Sequence, residues 1–186
     1  MRVHIQPDQV IEAFEGVRDH PVFAESAILM RNGQLPAEMI QAMALRPEIL
    51  RAFAELSSAV YPGGVLDRRI QELVILKAST INNCQFCTSS HVDIMKQLGI
   101  DGDPSSLLDD PARLTTRERL AMEYVEQVLA DSNRIDDGVI DRLREQFDDS
   151  EIVELTILVG YINMLNMFNN ALGIRYRDEY AGAADR

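Results

Sequence analysis

The stretch Glu72–His91 reads ELVILKASTINNCQFCTSSH and holds the only two cysteines of the 186-residue chain. Cys84 and Cys87 are separated by two residues, and His91 stands one helical turn beyond Cys87. Each residue of an α-helix advances by about 100°, so positions i, i+3 and i+7 share one narrow stripe. The spacing therefore predicts a helix carrying Cys84, Cys87 and His91 along one line. Asn82 and Asn83 just before it are natural cap residues, which puts both thiols in about the first turn. There the partial positive charge of the helix dipole and the free backbone N–H groups favour a thiolate. His91 can accept a proton from a thiol or hold the thiolate as an ion pair. The pattern converts an inert thiol into a nucleophile with a second thiol in reach.

Glu72 opens the same stretch. It is the sole acid between Arg69 and Asp93, and it precedes the apolar run LVIL. A carboxylate entering a buried helix needs a partner. One uninterrupted helix would hold Glu72 about 18 Å from Cys84, at 1.5 Å per residue. Contact between the two ends of the stretch requires the chain to fold back near Ile81–Asn83, and the asparagine pair permits that.

Working outward, helix signals dominate. PDQVIEAFEGVRD and PAEMIQAMAL begin with proline and acids, as first helical turns do. PEILRAFAELSSAVY puts Ile49, Leu50, Phe53, Leu56 and Val60 on one face and stops at Pro62-Gly63-Gly64. CQFCTSSHVDIMKQLG ends at Gly99 as a C′ residue. GIDGDPSSLLDDP reads as a loop, and TTRERLAMEYVEQVLAD opens with Thr115 and Glu118 in capping-box spacing. No segment alternates with period two for long enough to make a strand. The expectation is an all-α chain, one compact helical domain over residues 1–186, with about seven or eight helices. Residues 67–86 also match residues 149–168 at several positions without a gap, ELVIL against ELTIL among them. If that repeat is real, a degenerate second copy covers about 149–173, and Asn166, Asn169 and Gly173 stand opposite Cys84, Cys87 and His91.

Composition excludes some function classes. The formal net charge of −12 argues against a nucleic-acid partner, because phosphate binding rests on clustered Lys and Arg. The most apolar stretch, IVELTILVGYINMLNMFNNALGI, contains Glu154 and Asn163, Asn166, Asn169 and Asn170, so it reads as a buried core helix rather than a membrane span. MRVHIQPDQV has no apolar signal region, and a cytoplasmic location is expected. In that compartment a CxxC pair is redox-active or metal-binding more often than a structural staple. Zinc held by Cys84, Cys87, His91 and Glu72 is one alternative, although structural zinc sites draw on two separated ligand pairs. Two inert buried cysteines are another. His4 and His20 have no partners in spacing and read as structural.

The series Glu72, eleven intervening residues, Cys84-Gln85-Phe86-Cys87 and His91 resembles the signature of the alkyl hydroperoxidase D family, within the carboxymuconolactone decarboxylase-like superfamily. The resemblance is strongest over about residues 46–100. It implies an all-helical oligomer that reduces organic hydroperoxides with thiols and needs no bound cofactor. It implies Cys87 as the peroxidatic cysteine, Cys84 as proton donor and resolving thiol, and Glu72 and His91 as the relay. The partners it implies are a small hydroperoxide, a dithiol reductant and further copies of the chain. One position departs: the family has a histidine immediately before the second cysteine, where this chain has Phe86. The decarboxylase branch lacks the cysteine pair, so lactone decarboxylation is the lesser expectation. A non-enzymatic helical oligomer whose CxxC senses oxidation is the competing one.

Overall fold

The computed structural model describes residues 1–100 and 104–180. Among the described residues there are nine α-helices and no strand. They fall into two compact units, Met1–Gly64 with Asn169–Arg177, and Val65–Phe168 with 178–180.

The first unit holds α1 (Pro7–Glu15), a short 3₁₀ turn (Pro21–Phe23), α2 (Ala24–Arg31), α3 (Glu38–Ala44) and α4 (Pro47–Val60). Its centre is aromatic: Phe14 and Phe23 lie 5.7 Å apart and Phe23 and Phe53 6.2 Å apart, ring centroid to centroid. Leu50, Phe53 and Val60 of α4 are buried as their spacing predicts, but Ile49 and Leu56 are exposed. The buried stripe of α4 is thus narrower than the apolar pattern. His20 begins the 3₁₀ turn, its Nδ1 accepting from the Val22 N–H at 3.3 Å. The turn after α4 requires glycine, because a Cβ on Gly63 would meet the Ser58 carbonyl oxygen at 1.9 Å. Glu38, buried on α3, accepts from the Arg175 N–H at 3.0 Å and from Arg177 Nε at 2.8 Å. Burial pushes its carboxyl up, but these two donors outweigh that and hold it below the usual carboxylate range. The α2 helix had no capping or periodic signal strong enough to be expected.

The second unit is built on α5 (Arg68–Ile81), which packs against α6 (Gln85–Gln97) and α7 (Thr116–Asp131). α8 (Asp137–Arg144) packs on α7, and α9 (Asp149–Leu172) belongs to this unit as far as Phe168. Asp67 caps α5 by accepting from the Ile70 N–H at 3.0 Å. Leu73, Val74, Ile75 and Leu76 are all buried, so LVIL is apolar because α5 is covered on nearly every side. α7 begins with the expected capping box, Thr115 Oγ1 accepting from the Glu118 N–H and the Glu118 carboxylate from the Thr115 N–H. The span read as a loop contains 3₁₀ turns at Pro104–Asp109 and Pro111–Arg113, and residues 101–103 lie outside the described residues.

α9 is long and apolar enough, by length and composition alone, to cross a membrane. It is buried on one side only. Leu155, Leu158, Val159, Ile162 and Leu165 are buried, whereas Val153, Ile157, Met164 and Met167 are exposed. It runs unbroken through the positions that match the α5–α6 break.

Candidate active site

The break between α5 and α6 builds the site. α5 ends at Ile81, Asn83 adopts the left-handed conformation with φ +52°, and α6 starts at Gln85. Asparagine tolerates that region better than most residues. The Asn82 N–H donates to the Ala78 carbonyl at 2.9 Å, Asn83 N–H to Thr80 at 3.1 Å and Cys84 N–H to Ser79 at 2.9 Å, which satisfies the last carbonyls of α5. Here the expected role of the asparagines is corrected. They close α5 rather than cap α6, and Cys84 itself is the N-cap residue of α6. The reason is the fold-back, which uses both asparagines as its turn.

The turn is also tied down by side chains. Asn82 Nδ2 donates to Asn163 Oδ1 and to Asn166 Oδ1, each at 3.0 Å. Asn166, wholly buried, donates from Nδ2 to Ser79 Oγ at 3.0 Å. The asparagines that argue against a membrane span thus form a polar tether between α9 and the end of α5. Pairing them avoids the penalty of buried unsatisfied amides.

With the chain reversed, α6 lies back along α5. Cys84 Sγ is 3.0 Å from Cys87 Sγ, in a contact where the Cys84 thiol donates toward the Cys87 sulfur. Both cysteines are buried. Cys87 sits three positions into α6, within reach of the helix N-terminal field. His91 follows on the same face, one turn beyond Cys87. Its Nδ1 lies 2.7 Å from Glu72 Oε2, and Glu72 has no solvent exposure. The carboxylate therefore takes the Nδ1 side of the ring and leaves Nε2 as the remaining nitrogen. The four residues expected from sequence all lie in the second unit and form two contacting pairs, Cys84 with Cys87 and His91 with Glu72. His4 and His20 belong to the other unit.

Two contributors were not read from the sequence. Arg68 Nη2 contacts Glu72 Oε1 at 2.9 Å, one turn earlier on the same helix. Its signal was present as an Arg–Glu pair at i, i+4 spacing. The tether from Asn82 to Asn163 and Asn166 is the other, and only long-range contact reveals it. Phe86 is packed away with 5% of its surface exposed, so the side chain at this position fills the core. Among the described residues, no three His, Cys, Asp or Glu side chains converge as metal ligands.

Residues 47–127, which contain the whole constellation, match the carboxymuconolactone decarboxylase family. The uncharacterized protein YdfG of Bacillus subtilis is 27% identical over 114 residues, covering 59% of this chain and 78% of YdfG. An uncharacterized peroxidase-related protein from Silicibacter superposes with a TM-score of 0.73 at 24% identity, over 98% of this chain and 92% of that one. A protein of unknown function from Agrobacterium tumefaciens, ATU0492, superposes with a TM-score of 0.64 at 29% identity, over 73% of this chain and 95% of that one. Residues 47–127 thus resemble that family, and the chain has the alkyl hydroperoxidase D-like all-helical fold of these solved structures.

Proposed function

We propose that this chain is a thiol-dependent peroxidase that reduces organic hydroperoxides through a Cys84–Cys87 dithiol–disulfide cycle. One observation carries the reading: the two sulfurs lie 3.0 Å apart at the start of a helix whose next turn carries a histidine oriented by a buried carboxylate. His91 accepts the proton of Cys87, and the helix dipole and the Cys84 thiol stabilise the thiolate. The thiolate attacks one peroxide oxygen. An S–O bond forms, the O–O bond breaks, and the departing alkoxide takes a proton and leaves as the alcohol. Cys87 is then a sulfenic acid. Cys84 attacks its sulfur, the S–S bond forms and the hydroxyl leaves as water. An external dithiol reduces the disulfide by exchange and returns both thiols. The electrons come from the cysteines, so the cycle uses no bound cofactor.

Catalytic turnover of cumene hydroperoxide with dithiothreitol tests the proposal, combined with peptide mapping of the oxidised protein. Repeated cycles and an intramolecular Cys84–Cys87 disulfide are expected. A single oxidation event without turnover supports a redox sensor instead. Intermolecular disulfides alone, or thiols inert to peroxide, overturn the redox reading.

A further inference from the structure

We infer that Arg68 is a positioning residue of this site, holding Glu72 as a charged acceptor so that His91 keeps its proton on Nδ1 and presents an unprotonated Nε2. The inference rests on the reading of Cys87 as a nucleophile served by His91. It starts from a question of charge balance. Glu72 is wholly buried, and its two oxygens go to two partners, Oε1 to Arg68 Nη2 at 2.9 Å and Oε2 to His91 Nδ1 at 2.7 Å. A buried carboxylate with no countercharge is strongly disfavoured and takes up a proton, on itself or on its neighbour. With Arg68 present, carboxylate and guanidinium sum to zero and His91 stays neutral. Without Arg68, neutrality requires either a protonated Glu72 or an imidazolium at His91. The first removes the acceptor that orients the ring. The second removes the base.

The other charged groups on the surrounding elements have partners of their own. Arg69, next to Arg68 in sequence, points to Glu118 of α7. Lys77 pairs with Glu126, also on α7. On α6, Asp93 and Lys96 lie 3.6 Å apart. On α9, Glu154 accepts from the N–H groups of Val65 and Leu66. Arg68 is therefore the cation that the structure directs at Glu72. Its side chain is 30% exposed, so it joins the buried pair to solvent.

The test measures thiol reactivity without peroxide. In a Cys84→Ser background, the rate of Cys87 alkylation by iodoacetamide is followed across pH for Arg68, Arg68→Met and Arg68→Lys. Loss of the positive charge is expected to move the acid limb upward by roughly one pH unit, the size of a partner-charge effect at such range. Arg68→Lys should recover most of that shift, which a purely packing role would not predict. Superimposable profiles for Arg68 and Arg68→Met overturn the inference. Should Arg68→Met fail to fold, the ¹⁵N shifts of His91 in the unsubstituted protein decide. An Nδ1-protonated neutral ring at pH 7 is expected, and any other protonation state overturns the inference. Because alkylation needs no hydroperoxide, a protein that shows the shift but never turns over peroxide refutes the proposed activity and leaves the role of Arg68 standing.

Discussion

Glu72 and His91 stand 19 positions apart in the chain and 2.7 Å apart in space. The contact exists because the chain reverses between α5 and α6, and it gives the histidine a fixed orientation before any substrate arrives. In the reaction proposed above, this preorganised pair raises the fraction of Cys87 in the reactive form.

The two thiols should divide their labour. In Cys84→Ser, Cys87 is expected to react once with peroxide and be trapped as sulfenic acid by a dimedone probe. Cys87→Ser should lose the fast reaction altogether. Mass spectrometry of both variants after brief peroxide exposure checks this. A fully reactive Cys87→Ser beside a dead Cys84→Ser would reverse the roles.

His91→Ala should lower the rate of Cys87 with peroxide by about 10²-fold, the lower end of general-base effects, and move its acid limb upward. Stopped-flow kinetics across pH measures both. Phe86→His introduces the residue that the resembled alkyl hydroperoxidase D signature carries there, and it is expected to raise turnover while lowering the melting temperature, because a buried ring is replaced by a polar one. Unchanged turnover would mean that the Glu72–His91 pair already suffices.

Asn166→Leu removes one of the two acceptors of Asn82 and the donor to Ser79 in a fully buried place. The expected loss is about 1–3 kcal/mol, the cost of leaving buried polar groups unpaired. Urea denaturation measures it. Thiol reactivity should fall too, since the turn that sets Cys84 is released. A stable, fully active Asn166→Leu would show that the tether is dispensable.

Acid should weaken the first unit through Glu38. Its folded carboxyl lies below its ordinary value of 4.5. The sign follows: the stabilisation is present above that value and is lost as pH falls through the lower folded one. Arg177 is 66% exposed, so solvent screens its share and the total is about 1 kcal/mol or less. Glu38→Gln should flatten the dependence of unfolding free energy on pH below 4.5 and leave its slope near neutrality unchanged. An unaltered acid slope in Glu38→Gln contradicts this.

We also propose that the chain is a homo-oligomer and that α9 is where a second copy sits. Val153, Ile157, Met164 and Met167 are exposed along one side of α9, and Gly160 in the middle has nothing near its missing side chain. An antiparallel crossing at Gly160 would set Val153 against Met167 and Ile157 against Met164 of the other copy, as a two-fold interface requires. Light scattering at micromolar concentration should give more than one chain per particle, and Ile157→Glu with Met164→Glu should give one. A monomeric unsubstituted protein would refute the idea.

Local sequence determined the features that depend on residues one turn apart. The Thr115–Glu118 capping box, the placing of Cys87 and His91 one turn apart on α6, and the positive-φ Gly99 beyond α6 follow from helical periodicity and backbone preference, which act within a few residues. Arg68 beside Glu72 belongs to this class as well, although two adjacent arginines hid which one faced the carboxylate. Tertiary structure decided the rest. Whether Asn82 and Asn83 would start a helix or end one depended on Asn163 and Asn166, roughly 80 residues away, holding the turn. Ile49 and Leu56 carry the same apolar pattern as Leu50 and Phe53 yet face outward, because burial is set by what packs against a helix and not by its own periodicity. The reversal that joins Glu72 to His91 is the decisive case. The sequence held both residues and allowed the turn, but only the packing of α6 on α5 brings the two side chains into one hydrogen bond.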